Sequence, residues 1–403
     1  MTSALFITHE STRSGAPIML LHLLRWLKEH TPLELEVLNL RSGPLDAEFA
    51  SVAALTVLDV GATRMAMRLD PPAHRLADAH GSFRAVARTV GSAKDRAIRR
   101  RLAYAANFDV IYANSAVSAW AFDLLPVDHP PIITHVHELG YGLRYGIPDH
   151  ARAGMVRHTD RYIAASRCVA DALHEHLSVA PERIAVHHEC IDIARYQQHA
   201  TDVGPSVRQE LGIPADALVV GASGTREWRK ANDLFLLLAA RLQRAHDGPP
   251  LYCVWVGGSS EPGPAGELRH DLERLGIEDR VRFVDETAAP ERYFSMFDVF
   301  ALTSREDPFA LVCLEAALWG IPIVSFDSGG AAELIEDGDI GRVVPYADVE
   351  AMAATILEWA TNDQLRHALG RAAKEKVARY DVSVVGPGIA AEIDAAVFSC
   401  RDR

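Results

Sequence analysis

Two acidic residues, Asp307 and Glu315, carry the chemistry that is easiest to see in this sequence. They lie eight residues apart, and apolar residues recur at helical spacing around them, at Leu311, Leu314 and Leu318. Eight residues of α-helix span about 12 Å at 1.5 Å per residue. One elongated ligand with a polar group near each end could therefore reach both carboxylates. The alternative interpretation is that Asp307 only caps a helix and that Glu315 is an ordinary, half-exposed helix residue.

The Asp307-Pro308 pair predicts the start of this helix. Aspartate is a common N-cap, and proline fits the first helical position. Three backbone N–H groups would then lack a partner within the helix, those of Phe309, Ala310 and Leu311. Such a helix end carries a partial positive charge that suits a phosphate. A nucleotide-diphosphate sugar has the matching shape, because a pyrophosphate separates its hexose hydroxyls from its ribose hydroxyls.

A strand, a helix and a second strand are predicted to position the two acids. Residues 298–302 form an apolar run that indicates a buried strand, and residues 321–326 form another. Between them, Gly320 and Pro322 are typical of a helix end. Units of this kind build parallel sheets, which bind ligands at the carboxyl ends of their strands.

Residues 307–333 resemble the donor-site signature of the family 4 retaining glycosyltransferases. The shared pattern is an acid, seven residues, a glutamate, a helix of small residues and a Gly-Gly loop. The resemblance implies that Asp307 contacts the donor sugar and that Glu315 binds the ribose hydroxyls. Glutamate is commoner at the first position, and the adjacent Glu306 could compete for that role. The resemblance covers nearly the whole chain and implies the GT-B fold, in which two Rossmann-like, doubly wound α/β domains face each other across a cleft.

The loop 224–232 is predicted to supply positive charge at another strand-to-helix turn. Cations in such a place neutralise a pyrophosphate and stabilise it as a leaving group. The family that the chain resembles uses an arginine and, five residues later, a lysine for this purpose. Lys230 fits the lysine position, whereas Thr225 occupies the arginine position. Arg226 or Arg229 could substitute for the missing arginine, and both could instead be surface charges.

Two segments in the first half of the chain resemble further parts of the family site. The His137-Glu138 pair ends an apolar strand, where the resemblance implies a histidine that projects toward the donor sugar ring. His135 lies two residues earlier on the same strand face, so a histidine metal pair is the alternative, although no third ligand has a helpful spacing. Gly15 and Ala16 resemble the family's glycine loop at the donor phosphates. A glycine there can adopt positive φ and lets a ligand approach the backbone.

Composition limits the other function classes. The 403 residues carry a formal charge of −13, which gives no reason to expect a nucleic acid partner. The five cysteines are scattered singly, so we expect reduced thiols rather than disulfides or zinc ligands. We find no signal sequence and no apolar run of about 18 residues, the length that spans a membrane. These features predict a soluble, cytoplasmic protein.

The most basic stretch of the chain, Arg84 to Arg101, is predicted to form a solvated helix face. The alternative is contact with an anionic acceptor or with an anionic membrane surface, which would place the protein at the inner face of the membrane. Such membrane attachment is known for some members of the family that the chain resembles.

We expect three segments: an acceptor-side domain over residues 1–198, a donor-binding domain over 199–380 and a C-terminal helix over 381–403 that crosses back to the first domain. The polar run 197–207 is expected to link the domains. The resemblance implies a glycosyltransferase that moves a sugar from a nucleotide-diphosphate sugar to an acceptor hydroxyl of a glycan, a lipid-linked or a small molecule. It implies retention of the anomeric configuration, with Asp307, Lys230 and His137 as catalytic residues and no metal or other cofactor.

Two other readings remain open at this point. The same fold could serve a nucleotide-sugar epimerase, a hydrolase or a transferase that uses an activated donor other than a sugar. A non-catalytic protein could also keep the nucleotide-sugar pocket. Thr225 favours the non-catalytic protein. The Glu189-Cys190 pair, which replaces an expected glycine turn, favours it too.

Overall fold

The computed structural model describes residues 2–59, 95–199, 203–259, 264–336 and 340–401. The chain divides into two compact units. The first comprises Met1–Ala165, Val169–His187 and Gly386–Arg403, and the second comprises Ser166–Cys168 and His188–Val385. The domain limits expected after residues 198 and 380 both fall inside the second unit.

Each unit contains one wholly parallel sheet, as expected for a doubly wound α/β fold. The first sheet has the order β3-β2-β1-β4-β5-β6-β7, and the second has the order β10-β9-β8-β11-β12-β13. The strands are β1 Ser3–Thr8, β2 Glu34–Asn39, β3 Ala54–Val57, β4 Val110–Asn114, β5 Ile132–Val136, β6 Thr159–Ala164, β7 Ile184–Val186, β8 Leu218–Ser223, β9 Leu251–Val256, β10 Val281–Val284, β11 Val299–Leu302, β12 Ile323–Phe326 and β13 Gly341–Val344. The order of strands reverses at β1 in the first sheet and at β8 in the second. Such reversals are where open α/β sheets bind ligands.

Helices connect the strands. Those with assigned bounds are Gly15–His30, Asp46–Val52, Asp149–His158, Arg167–Leu177, Ile193–His199, Gly204–Glu210, Asn232–Ala245, Pro264–Leu275, Glu291–Phe294, Leu311–Leu318, Ala331–Glu336, Val349–Ala360, Asp363–Lys376 and Val382–Arg401. The apolar spacing of the first helix explains its packing, because Leu20, Leu23, Leu24 and Leu27 are all fully buried. Central strands such as β4, β5 and β9 are buried along their whole length, since parallel sheets are covered on both faces.

The described residues of the segment 197–207, which we expected to link the domains, lie inside the second unit. The two ends of this segment are helical, and Val207 is fully buried. The next residue, Arg208, donates to the carbonyls of Ala217 and Met296 and pairs with Asp298 at 3.0 Å. The Gly204-Pro205 pair opens a helix instead of a flexible turn, because proline fits the first helical turn.

The C-terminal helix Val382–Arg401 begins in the second unit and belongs to the first unit from Gly386 onward. A Cβ at Gly386 would lie 2.7 Å from the Trp26 ring, so the glycine permits close packing there. Arg161 forms an ion pair with Glu392 of this helix at 2.8 Å.

The window Val382–Ser399 of the C-terminal helix reaches a mean hydropathy of 1.4 and is long enough to span a membrane. The sequence expectation that no such run exists was therefore wrong. One such helix is weak support for a membrane span, because core helices pass the same test.

Part of the basic stretch, including Arg84, Arg88 and Lys94, lies outside the described residues. Residues 95–102 are helical, and Arg96, Arg99 and Arg100 of this segment are exposed. Arg101 is exposed as well and donates to the carbonyls of Val57 and Leu58.

The cysteines follow the sequence expectation where the structure describes them. Cys168, Cys190, Cys253 and Cys313 form no disulfide, and all but Cys168 are buried.

Candidate active site

Lys230 and Asp307 meet at the carboxyl ends of two neighbouring strands of the second unit. Lys230 follows β8, at the reversal of strand order, and Asp307 follows β11. The Lys230 Nζ donates to the Asp307 Oδ2 at 2.6 Å, and the two side chains are 14% and 4% exposed. Burial alone would raise the pKa of Asp307, but the ammonium of Lys230 and the guanidinium of Arg229 hold it below its usual value. The site therefore contains a buried, ionised pair.

The loop that carries Asp307 is held by backbone contacts. The Asp307 N–H donates to the Ser328 carbonyl, and the Gly330 N–H donates to the Asp307 carbonyl, at 3.1 and 3.0 Å. A Cβ at Gly330 would lie 2.0 Å from the Pro308 carbonyl oxygen, so only glycine fits at this position. The Ser304 hydroxyl adds a hydrogen bond to Asp307 Oδ2 at 3.1 Å.

The helix starts later than the Asp-Pro pair predicts. Ala310 is its N-cap, and the helix runs over Leu311–Leu318. The prediction was wrong because the Asp307 carboxylate is engaged by Lys230 and its backbone bridges to Gly329, which holds residues 307–310 out of the helix. The spacing of about 12 Å assumed for a continuous helix therefore does not apply.

This later start changes which N–H groups face outward at the helix end. Leu311 and Val312 occupy the first positions of the helix, where N–H groups have no intrahelical acceptor. The Cys313 N–H donates to the Ala310 carbonyl at 2.9 Å. Of the three predicted anion-binding residues, Leu311 keeps its place in the first turn, whereas Phe309 and Ala310 precede the helix. Phe309 instead packs between two rings, with centroid distances of 5.0 Å to His188 and 5.4 Å to Tyr380.

The two candidate arginines have different surroundings. The Arg226 side chain is 4% exposed, and its guanidinium binds Asp285 at 3.0 Å and the carbonyls of Ser259 and Val284. It also lies over the Phe283 ring. These contacts direct Arg226 to the segment after β10, away from Asp307.

Arg229 lies beside the acidic loop. Its guanidinium donates to the Glu306 carbonyl at 3.2 Å and to the Glu227 carboxylate at 3.1 Å, and its charge acts on Asp307. Of the two arginines, Arg229 is therefore the one whose charge acts on Asp307. The carboxylate of Asp307, and not the neighbouring Glu306, receives the lysine.

Glu315 is buried in the middle of its helix and is 8% exposed. Its Oε1 accepts a hydrogen bond from the Tyr196 hydroxyl at 2.5 Å. Burial raises the pKa of Glu315 to about 7, while the Tyr196 hydroxyl opposes that rise and the charge of Glu291 adds to it. Perturbed carboxyl groups of this kind are typical of functional sites. Sequence reasoning missed Tyr196, because nothing in its local sequence marks it as a partner of a residue 119 positions away.

A second cluster lies at the strand reversal of the first unit, around Asn114 at the end of β4. The Asn114 Nδ2 donates to the Ala16 carbonyl at 3.0 Å, and its Oδ1 lies 2.9 Å from the His137 Nε2. Because the amide nitrogen is directed to a carbonyl, the amide oxygen accepts from an Nε2–H of His137. Through Asn114, the structure thus links Ala16 and His137, which the sequence singled out separately. Gly15 is the first residue of the helix Gly15–His30 and is exposed, so it does not form the positive-φ turn that we expected.

Glu138 fixes the backbone around this cluster. Its carboxylate accepts hydrogen bonds from the Ser115 hydroxyl, from the Ala116 N–H at 3.1 Å and from the His137 N–H at 3.0 Å. Ser115 has a φ of 82°, which is costly for a residue other than glycine. Strain of this kind commonly lies at functional sites, and here the Glu138 carboxylate compensates for it.

His135 is a buried ring against which His137 packs, with ring centroids 4.1 Å apart. Its Nδ1 shares a hydrogen bond with the Tyr112 hydroxyl at 2.6 Å. Burial lowers the pKa of His135 well below its usual value, and the nearby His137 and His187 lower it further. In the described part of the chain, no group of three metal-ligating side chains contains this pair. His135 is therefore a neutral support for His137.

Known proteins share both the sequence pattern and the architecture. The model of the glycosyl transferases group 1 matches residues 205–376, and the model of Glycosyltransferase Family 4 matches residues 67–195. A D-inositol 3-phosphate glycosyltransferase of Streptomyces coelicolor is 30% identical over 267 residues, which are 62% of this chain and 58% of that protein. The chain thus spans little more than half the length of the curated relatives that it matches, 53% for the enzyme of Saccharomonospora viridis.

A solved structure extends the comparison to the whole fold. Anabaena HepE, crystallised in complex with UDP and glucose, has a TM-score of 0.75 and 20% identity, with 98% of this chain and 100% of that chain covered. At this identity the likeness shows the fold alone. The two family matches, over residues 67–195 and 205–376, show that the chain belongs to the group 1, family 4 glycosyltransferases. The two parallel sheets and the structural likeness show that it has the GT-B fold.

Proposed function

We propose that the protein transfers a sugar from a nucleotide-diphosphate sugar to an acceptor hydroxyl, with retention of the anomeric configuration. The observation that carries the proposal is the buried Lys230–Asp307 pair at the strand reversal of the second unit, beside the helix that carries Glu315. Family membership supports the same activity.

The charges of the second unit suit a donor with a pyrophosphate. The ammonium of Lys230, the guanidinium of Arg229 and the N–H groups of Leu311 and Val312 would bind the diphosphate. Negative charge grows on this group as the bond to the sugar breaks, so fixed positive partners stabilise the transition state more than the ground state. Asp307 would accept hydrogen bonds from the donor sugar, and Glu315 would accept them from the ribose.

The proposed transfer needs no protein nucleophile. The bond from the anomeric carbon to the phosphate oxygen breaks with its electrons going to the phosphate. The acceptor oxygen bonds to the same face of the sugar, and its proton passes to the departing phosphate. In the first unit, His137 remains the proposed sugar-contacting residue, because Asn114 holds its ring and its tautomer.

Several finer features belong to the same proposal. Lys230 and Arg229 supply the positive charge at the diphosphate, so we propose that turnover requires no divalent metal. UDP is the first nucleotide to test, because HepE was crystallised with UDP. A polyol or sugar phosphate is the first acceptor class to test, because the relatives that the chain matches are D-inositol 3-phosphate glycosyltransferases.

We place the protein in the cytoplasm, with the arginines of residues 95–102 available to an anionic membrane surface.

Nucleotide binding tests the proposal directly. Thermal unfolding is measured with UDP, GDP and ADP, each with and without EDTA, for the wild type and for Lys230→Met. A ligand that binds only the folded state stabilises it by about 2.7 kcal/mol at a hundredfold excess over Kd. We expect one nucleotide to stabilise the wild type regardless of EDTA and to stabilise Lys230→Met much less. Arg241→Met is the matched control, because Arg241 forms an exposed ion pair with Glu350 elsewhere in the same unit.

Two results would overturn the proposal. The first is the absence of stabilisation by every nucleotide. The second is consumption of the donor without an acceptor at the full rate, which would identify an epimerase or a hydrolase.

A further inference from the structure

The Glu315 carboxyl group is buried, and no cation among the described residues forms an ion pair with it. The ion pairs of the described residues include Lys230 with Asp307 but none with Glu315. The only side chain that donates to it within those residues is Tyr196, through the hydrogen bond of 2.5 Å to Oε1. A buried carboxylate with one neutral hydrogen bond is poorly compensated. It therefore gains most from a ligand that brings further hydrogen-bond donors.

The segment that carries Tyr196 is anchored to residues 380–381. Tyr196 lies in the short helix Ile193–His199, whose first N–H donates to the Asp381 Oδ2 at 3.0 Å. The preceding Ile191 forms a bridge with Asp381, and its N–H donates to the Tyr380 carbonyl. The helix that carries Tyr196 is therefore anchored by hydrogen bonds at its start and just before it.

The Tyr196 hydroxyl opposes the other influences on the charge of Glu315. Among the described residues, the titratable groups that act on this carboxyl from the surrounding elements are Tyr196 and Glu291. Glu291 is acidic and disfavours ionisation, as burial does, whereas the hydroxyl favours it. Asp192 and Glu291 also act on Tyr196 and raise its pKa, as burial and Glu315 do, so the phenol keeps the proton that it donates.

We propose that Tyr196 is the positioning residue of the ribose subsite. Its hydroxyl holds Glu315 in the orientation and in the ionised form that accept hydrogen bonds from the two ribose hydroxyls of a nucleoside diphosphate. The donor proton of Tyr196 occupies Oε1 and leaves Oε2 and the remaining lone pairs for the ribose. This inference rests on the proposed function and adds a residue to it.

Isothermal titration calorimetry with UDP between pH 5.5 and 8.5 tests the inference. Tyr196→Phe removes only the hydroxyl, and its melting curve without ligand shows that it folds. We expect UDP affinity to fall about tenfold at pH 7, since a hydrogen bond to a charged group contributes about 1.5–3 kcal/mol. The pH at which affinity is half-maximal should move upward, because Glu315 then ionises less readily. In turnover assays, KM should rise while kcat changes little.

Two comparisons separate this role from a merely structural one. Tyr346→Phe is the matched control, because Tyr346 is an exposed tyrosine of the same unit, and it should leave both affinity and pH dependence unchanged. In addition, 2′-deoxy-UDP lacks one of the proposed donors. If Tyr196 acts through Glu315 on the ribose, the losses from Tyr196→Phe and from the deoxy ligand should be less than additive.

The outcomes are distinct for the two claims. Wild-type binding of UDP together with unchanged affinity and pH dependence in Tyr196→Phe would overturn the role of Tyr196 alone. Additive losses with 2′-deoxy-UDP would also overturn it. Failure of the wild type to bind UDP, GDP and ADP at every pH would overturn the proposed function, and the ribose subsite with it.

Discussion

Asn114 joins the start of the first helix to His137. Its amide donates to the Ala16 carbonyl at 3.0 Å and accepts from the His137 Nε2 at 2.9 Å. This one side chain therefore contacts the first turn of the helix and also sets the tautomer of the histidine. A hydrogen bond to one ring nitrogen of a histidine generally fixes which of the two nitrogens carries the proton.

The first prediction concerns this contact. Asn114→Ala should lower kcat/KM by about tenfold or more, because His137 loses its orientation and the Ala16 carbonyl loses a buried donor. The same substitution in a His137→Ala background should add little further loss, since the two residues act as one unit. Steady-state kinetics of the two single variants and the double variant measure this coupling. Additive losses would show that Asn114 does not act through His137.

The second prediction concerns the buried pair of Lys230 and Asp307. Lys230→Met should destabilise the folded protein by about 3–5 kcal/mol, because the carboxylate of Asp307 stays buried without its partner. Adding Asp307→Asn removes the unpaired charge and should restore much of this stability without restoring activity. Urea unfolding and turnover assays separate the two effects. Equal stability of the single and double variants would show that the pair contributes little to folding.

The third prediction concerns the pH dependence of stability. Burial raises the pKa of Glu315 from 4.5 to about 7. The unfolded chain therefore loses this proton at a lower pH than the folded protein does. Stability should fall as the pH rises from about 4.5 to about 7, and it should stay at the lower level above that range. The size of the loss is about 3 kcal/mol, at 1.36 kcal/mol for each pKa unit.

Glu315→Gln provides the measurement for this effect. The glutamine cannot ionise, so the variant should be more stable than the wild type above pH 7, and the difference should shrink toward pH 5. Urea unfolding at pH 5, 6, 7 and 8 gives the two profiles, with Glu350→Gln as a control at an exposed position. Parallel profiles would contradict the raised pKa.

The fold could be predicted from the sequence because its signals are local. Apolar runs such as residues 298–302 and 321–326 are separated by helix ends with Gly320 and Pro322, and this alternation alone indicates a parallel sheet. The GT-B architecture inferred from the resemblance is confirmed by the two sheets and by the structural comparison.

Details of the site depend on contacts between distant residues, and local signals do not reveal these. Asp307 has the local sequence of a helix cap, yet its contacts with Lys230 and Gly329 hold it outside the helix. Tyr196 and Asn114 have no local motif at all. Their roles follow from which side chains the packing brings within hydrogen-bond distance, and that information is spread over the whole chain.

The last prediction separates the two arginines of the loop after β8. Arg226 binds Asp285 and two carbonyls from a buried position, so Arg226→Gln should mainly lower stability, by about 2 kcal/mol for the lost charge-assisted contacts. Arg229 lies beside Asp307 and is partly exposed, so Arg229→Gln should mainly weaken binding of the diphosphate. UDP and UMP distinguish the two effects, because only UDP carries the second phosphate. We expect Arg229→Gln to reduce UDP affinity more than UMP affinity. A folded Arg226→Gln should leave the ratio of UDP affinity to UMP affinity unchanged. A larger selective loss for Arg226→Gln would show that Arg226 takes the place of the arginine missing at Thr225.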